Sequence, residues 1–428
     1  MNGERISTQI FFTIALLGFW LIASTITFGT QSAPLFYSNF VAGLLLIGLG
    51  IKCRKDPKAI EIWALTAVGT WLQLAPLLFW APKASSYIND TFVGVWIIAL
   101  AITLHPIPGL SLNEKGTIPP GWSFNPSSWS QRIPIAFLAF ICWMISRYLA
   151  AYQLGYIDTV WDPFFTPGTK GVLTSDVSKA FPVSDAGLGA LAYTLEFFSA
   201  CQGGSNRWRT APWLVLVFGI LVIPVSIVST VLIILQPLAV GTWCTLCLTT
   251  ALCMLISMPF AIAEVTATIQ FLRHSKEKPF LALLFQGGTC AKEKPDRLTP
   301  PMESPILTLL ESSLSGLTFP WNLSLSAILG VFVMAIPSLF NLEGILYQMN
   351  PILGAFTTVV SIVSFSECAR KARYLNFGLG ALLLIGTLVA HNQIGNKVLL
   401  VQLTLAIGIA LLSLRKGPIR QLFSFQKT

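Results

Sequence analysis

The sequence predicts an all-α polytopic membrane protein of about twelve transmembrane helices, and three observations carry that prediction. Of its 428 residues 54% are hydrophobic and only 11% charged, whereas soluble domains are about one-quarter charged. Apolar runs of bilayer-crossing length recur from one end of the chain to the other. Lysine and arginine fall between those runs in an alternating pattern, as they do when cytoplasmic loops retain positive charge. These features exclude an ordinary soluble enzyme.

The runs form three groups of four. The first comprises Ile6 to Phe28, Phe36 to Ile51, Ile62 to Trp80 and Thr91 to Leu104. The second comprises Ile133 to Tyr152, Val183 to Ala200, Trp213 to Leu235 and Thr242 to Ala263. The third comprises Trp321 to Phe340, Ile352 to Phe365, Leu375 to Ala390 and Val398 to Leu414. The first run is long and is followed by further spans, so no cleavable leader is expected.

With the N-terminus inside, the inner segments hold all of the 27 Lys and Arg residues except Lys83, Arg147, Lys170, Lys179 and Lys397. Both termini are therefore expected on the cytoplasmic side. The net charge of +9 is scattered over every inner loop. It is an orientation signal rather than a nucleic-acid footprint, and the partner it implies is the bilayer.

Two stretches interrupt the helices: Pro106 to Gln131, and Arg273 to Pro320, which is rich in charge and proline. They divide the chain into a four-helix block over 1–107, a cytoplasmic linker over 108–131, a central domain over 132–273, a second linker over 274–320 and a final block over 321–428. Within the second linker, Phe280 to Phe285 is apolar but too short to span, so it is expected at the membrane interface or against the bundle. The outer blocks carry an internal repeat in which a helix ends in a small or apolar residue plus Pro, and Asn then precedes an apolar run containing Gly. Ala33-Pro34 with Asn39 and Gly43 is one copy, Ala75-Pro76 with Asn89 and Gly94 the second, and Ile336-Pro337 with Asn350 and Gly354 the third. A fourth, around Asn392 to Asn396, lacks the Pro. This pattern resembles the SPW repeat, a two-helix membrane unit. The alternative is that Pro and Asn simply punctuate helix ends.

Chemistry concentrates at Val240-Gly-Thr-Trp-Cys244-Thr-Leu-Cys247-Leu-Thr-Thr250, where a Cys-x-x-Cys pair opens a helix. Thiols three residues apart at a helix start share one face and can form a disulfide, and the helix N-terminus favours a thiolate. Zinc would need four ligands, and no second Cys/His cluster exists, so no metal is expected. The topology puts this pair on the outer side, with Cys244 nearer water and Cys247 about one turn deeper. Cys53, Cys142, Cys201, Cys253, Cys290 and Cys368 read as fillers or reduced thiols. The three histidines, His105, His274 and His391, lie far apart and do not suggest a haem.

Around the pair run Asp162-Pro-Phe-Phe165, Gly171-Val-Leu-Thr-Ser175, Ser184-Asp185-Ala-Gly-Leu-Gly189, Tyr193-Thr-Leu and Leu235-Gln236, ending in Cys-x-x-Cys-x-Thr-Thr. In that order they resemble the vitamin K epoxide reductase family of quinone-linked thiol oxidoreductases, over about a third of the chain. The resemblance implies a four-helix bundle around a quinone, capped by the loop between its first two helices, in a bacterial cell membrane. It implies that Cys244 exchanges with an extracytoplasmic thioredoxin-like partner and that Cys247 meets the quinone. It also implies a quinone-contacting or proton-transferring role for Asp185. Ser175, Tyr193 and Gln236 are further polar candidates for lining the outer half of the bundle and the quinone, with packing in the core as the alternative for Tyr193. For Asp185 a helix-capping role, by itself or through Ser184, is equally open.

The sequence departs from the family in two places. The outer loop lacks its usual second cysteine pair, with Thr169 or a neighbour standing where a Cys would be expected, and Ala251 replaces a quinone-lining Tyr. A partner then meets Cys244 directly, or the disulfide is regulatory, or the domain has lost turnover. The rival function is a catalytically silent scaffold or transporter whose cysteine pair is a structural disulfide. Arg147 is read as lining the bundle or snorkelling to the outer interface, and Glu196 as a structural ion-pair partner of Arg207 or Arg209.

Overall fold

The computed structural model describes residues 2–29, 32–54, 58–103, 115–275 and 277–423, with side chains from Thr8 onward. His105 lies outside them. In chain order the helices are α1 (Asn2–Thr27), α2 (Ala33–Lys52), α3 (Ala59–Leu78), α4 (Ala84–Thr103), α5 (Trp129–Gln153), α6 (Gly168–Thr174), α7 (Asp185–Cys201) and α8 (Arg207–Thr210). They continue with α9 (Pro212–Leu235), α10 (Thr245–His274), α11 (Phe280–Gln286), α12 (Ile306–Ser313), α13 (Trp321–Phe340), α14 (Gly344–Val363), α15 (Tyr374–Val389) and α16 (Asn396–Leu414). The short strands β1 (Thr117–Ile118) and β2 (Lys294–Pro295) pair antiparallel. Among the described residues, 11 helical segments are long and apolar enough to cross a membrane. The twelfth expected span is α7, whose 17 residues put it at the short end of the spanning range. The protein is an all-α polytopic membrane protein, as the sequence predicts.

The chain forms two compact units. One comprises Met1–Ser111, Ala139–Trp161 and Leu173–Gly203, the other Leu112–Leu138, Asp162–Val172 and Gly204–Thr428.

In the first unit, α1 packs on α2 and α3 on α4 as hairpins. A Cβ built on Gly94 would lie 2.5 Å from the Gly69 carbonyl oxygen, so at that crossing the two backbones touch and no side chain fits between them. Gly18 and Gly43 make the same crossing between α1 and α2. Four residues before the crossing glycines of α2 and α4 stand Asn39 and Asp90, both buried, and the Asn39 amide donates to both Asp90 carboxylate oxygens at 2.9 Å. Trp20 and Ser24 are tied to the same cluster through Asn89.

The second unit repeats this hairpin design. Gly330 and Gly354 cross α13 with α14, and Gly380 meets Ala406 where α15 crosses α16. The positions four residues before Gly354 and Ala406 are again polar and fully buried, as Asn350 and Gln402. Aligning the hairpins by their crossings corrects the repeat inferred from proline. Pro76 and Pro337 lie in the last turns of α3 and α13, whereas Pro34 opens α2. Asn39 therefore corresponds to Asp90 rather than to Asn89.

Both linkers carry structure within the second unit. Asn125 donates to Asp296 at 3.0 Å, and Gln131 to the Ser315 carbonyl at 2.8 Å. In α11, Leu283 is buried against Trp208 and Phe271, which seats that short apolar run on the bundle. The buried Arg207 pairs with Glu264 at 2.6 Å, and Ser127 donates to the same carboxylate at 2.5 Å. Arg209 pairs with Glu293. The ion pair expected for Glu196 is therefore corrected: acids on α10 and in the second linker take both arginines. Both Glu196 carboxylate oxygens are buried and have no hydrogen-bond partner among the described residues.

Candidate redox site

The end of α9 builds the thiol site. Beyond Leu235 the helix widens into a π-turn over Gln236–Val240, and Gly241 at φ 77° reverses the chain. The Gln236 side-chain oxygen accepts the Cys244 amide hydrogen at 2.9 Å, which fixes the entry into α10. Cys244 is the N-cap of that helix, and its sulfur accepts the Cys247 amide hydrogen at 3.1 Å. The two sulfurs belong to a dithiol, with no bond between them.

Segment 162–169 covers this cap. The Asp162 carboxylate accepts the Thr245 hydroxyl hydrogen at 2.5 Å, the Phe165 amide at 3.0 Å and the Phe164 amide at 3.3 Å through one oxygen. Its other oxygen accepts the Thr169 amide at 2.7 Å. Burial alone would push this carboxyl up, but the bonds from Thr245, Phe165 and Thr169 hold it well below the usual carboxylate range. Gly168 lies so close to the Trp243 carbonyl and the Thr242 hydroxyl that a Cβ there would collide with both.

Under this cover Cys244 is 0% exposed, while Cys247 keeps part of its surface open. Cys244, expected nearer water than Cys247 from its position along the helix, is thus covered by a loop. Depth along a helix does not determine accessibility when a loop folds back over its first turn.

The Cys247 thiol donates to the Cys244 sulfur and is the main reason that the Cys244 thiol is held below its ordinary range. The Thr169 side chain acts in the same direction, as does the Cys247 amide, and the Thr169 hydroxyl is buried with no other partner among the described residues. Burial and the Asp162 carboxylate oppose them and are outweighed. By contrast, burial pushes the Cys290 thiol up to about 11, and burial with a bond to Glu61 pushes Cys53 up to about 12. The Cys-x-x-Cys pair thus sets a thiol held below its ordinary range beside a second thiol one turn further along α10.

The other predicted site residues lie in the first unit. Ser184 caps α7, its hydroxyl oxygen accepting the Gly187 amide at 2.9 Å. Asp185 follows the cap. Its carboxylate accepts from Gln153 at 2.5 Å, from the Ala186 amide at 2.8 Å and from Ser178 at 3.2 Å. Ser175 joins the same turn by accepting the Ser178 amide at 3.3 Å. Tyr193 is buried and lines an apolar cavity of about 130 Å³ with Phe140, Trp143 and Phe197. Arg147 lays its guanidinium 4.5 Å from the Tyr87 ring centroid, a cation–π contact.

Sequence reasoning did not identify Asp162 or Thr245 as site residues, nor Gln153, the hub of the Asp185 cluster. The available signal for Asp162 was an acid before proline, a common turn former that can accept nearby amides.

A paired thiol at a buried helix start within a helical membrane bundle is the equipment that thiol–disulfide chemistry needs. Residues 133–262 match the vitamin K epoxide reductase family, and residues 10–104 match the SPW repeat domain. The central block is therefore a vitamin K epoxide reductase family domain preceded by an SPW repeat. No curated protein and no solved structure gives a significant match.

Proposed function

We propose that the protein couples oxidation of extracytoplasmic thiols to reduction of a membrane quinone through Cys244 and Cys247. A partner dithiol reduces the Cys244–Cys247 disulfide by exchange and becomes a disulfide itself. The regenerated pair then gives up two electrons and two protons, and the quinone, which supplies the two-electron acceptor, leaves as quinol. The observation that carries this reading is the Cys244 sulfur at the start of α10, held by the Cys247 amide and thiol. The donor set suits such an acceptor: Cys247 retains an open side, and the small Ala251 stands one turn below it.

In this reading Gln236 positions Cys244, Asp185 exchanges a proton with the quinone, and Ser175 and Tyr193 line its approach. The pair faces outward, with both termini cytoplasmic, as the distribution of basic residues supports. The domain boundaries are those drawn from the two linkers. A thioredoxin-like protein is the partner of Cys244.

A second reading, a silent relative with a structural disulfide, is favoured by the complete cover over Cys244 and by Thr169 in place of a loop cysteine. Purified protein supplied with reductant and a soluble quinone analogue distinguishes the two. The first reading expects turnover that Cys247→Ser abolishes. Absence of turnover in the wild type, or its persistence in Cys247→Ser, would refute it.

A further inference from the structure

An acid buried in a membrane-spanning helix is costly unless something balances its charge. Asp90 stands in α4 at 1% exposure, and no Lys, Arg or His pairs with it among the described residues. Two basic residues of the same unit are engaged elsewhere: Lys83, just before α4, donates to the Phe28 and Gly29 carbonyls, and Arg147 on α5 lies over the Tyr87 ring. The carboxylate's hydrogen bonds come from side-chain amides alone, Asn39 at 2.9 Å from both oxygens and Asn89 at 3.1 Å from one. Packing does not call for the charge. The second unit fills the two equivalent positions with Asn350 and Gln402, and so builds the same crossed hairpins from neutral side chains.

Two neutral oxygens beside this acid lack partners. The Asn39 side-chain oxygen belongs to the amide group that meets the carboxylate, and Ser86 precedes Asp90 by one turn on the same face of α4. Both residues are 2% exposed, and neither the Asn39 oxygen nor the Ser86 hydroxyl has a hydrogen-bond partner among the described residues. A carboxylate flanked by unpartnered neutral oxygens is the donor set of a hard cation. One negative charge in a buried site balances one positive charge, which selects a monovalent ion over Ca²⁺ or Mg²⁺. We propose that Asp90, Asn39 and Ser86 bind Na⁺ within the α1–α4 block. Nothing in this site depends on the redox function proposed above.

The test labels the full-length protein in detergent with dicyclohexylcarbodiimide, which adds to buried carboxyls in their protonated form, and reads Asp90 by mass spectrometry of its peptide. NaCl is compared with choline chloride at one pH and one ionic strength. Na⁺ is expected to lower Asp90 labelling roughly tenfold once it exceeds its dissociation constant about tenfold, and to leave Glu196, a buried carboxyl on α7, unchanged. Asn39→Ala and Ser86→Ala are each expected to remove that protection. Asp90→Asn copies the neutral pairing of the second unit, so it should fold and lose the rise in unfolding midpoint that Na⁺ gives the wild type. Labelling of Asp90 that follows pH but is the same in Na⁺ and choline marks a site for a proton only and overturns the Na⁺ site. Equal protection of Glu196 overturns it too, as does a wild-type midpoint that ignores Na⁺ or an Asp90→Asn midpoint that still rises with it. If an alanine variant unfolds, or the carbodiimide does not reach Asp90, the midpoints of the wild type and Asp90→Asn decide the question.

Discussion

The division of roles within the cysteine pair can be tested by replacing Cys247 in two ways. Cys247→Ala and Cys247→Ser both abolish the disulfide, so they are equal in redox terms. They differ in the bond that most depresses the Cys244 thiol, the side-chain hydrogen bond from residue 247. Serine keeps a donor and alanine removes it, while the amide at 247 continues to cap the sulfur in both. A hydrogen bond to a charged group contributes about 1.5–3 kcal/mol, and about 1.4 kcal/mol is a factor of ten in an equilibrium constant. Because the bond favours the thiolate, its contribution is present above the midpoint of the Cys244 titration and is lost as the pH falls through it. Cys247→Ala should therefore show roughly tenfold or more less thiolate than Cys247→Ser at one pH below both midpoints. Thiolate absorbance near 240 nm, measured against a Cys244→Ser control, follows this without requiring a reagent to enter the covered site. If the two variants titrate together, the Cys247 thiol does not tune Cys244 and the helix start alone does.

Much of the fold was legible because a bilayer imposes length and composition directly. Each expected span corresponds to a helix, and α7 fell just short of full spanning length because its N-cap at Ser184 and its end at Cys201 leave only 17 residues between them. The repeat was visible but out of register. Proline serves two positions in a helix, the first turn at Pro34 and the last turn at Pro76 and Pro337, so it cannot set the phase. The crossing residues can, since backbone contact excludes every larger side chain. The buried polar positions four residues earlier appear only after that alignment.

At the site, the Cys-x-x-Cys pair and Gln236 were legible from short-range pattern and family order, since one turn of chain brings them together. Asp162 was not, because its bond to Thr245 depends on a loop folding onto a helix start far along the sequence. Glu196 was assigned to the nearest arginines in sequence, and Glu264 took Arg207 instead because α10 carries it to that arginine. Charge pairing across a bundle follows helix contacts, which hydropathy does not reveal.

Two further outcomes follow from the packing and the caps. Gly94→Ala places a Cβ 2.5 Å from the Gly69 carbonyl and should cost about 1–3 kcal/mol, seen as a lower unfolding midpoint in detergent, while Gly48→Ala, with nothing within 4 Å, should leave it unchanged. Equal effects at both glycines would refute the crossing. Ser184 and Asp185 separate capping from proton exchange: Ser184→Ala loses the bond to the Gly187 amide and should cost about 1 kcal/mol of stability. Asp185→Asn still accepts from Gln153 and the Ala186 amide, so it should preserve most of the stability while slowing quinone reduction and changing its pH dependence. If Asp185→Asn instead lowers stability as much as Ser184→Ala and leaves the pH profile of an active enzyme untouched, the carboxylate only braces the start of α7, and the proton must come from water or another group.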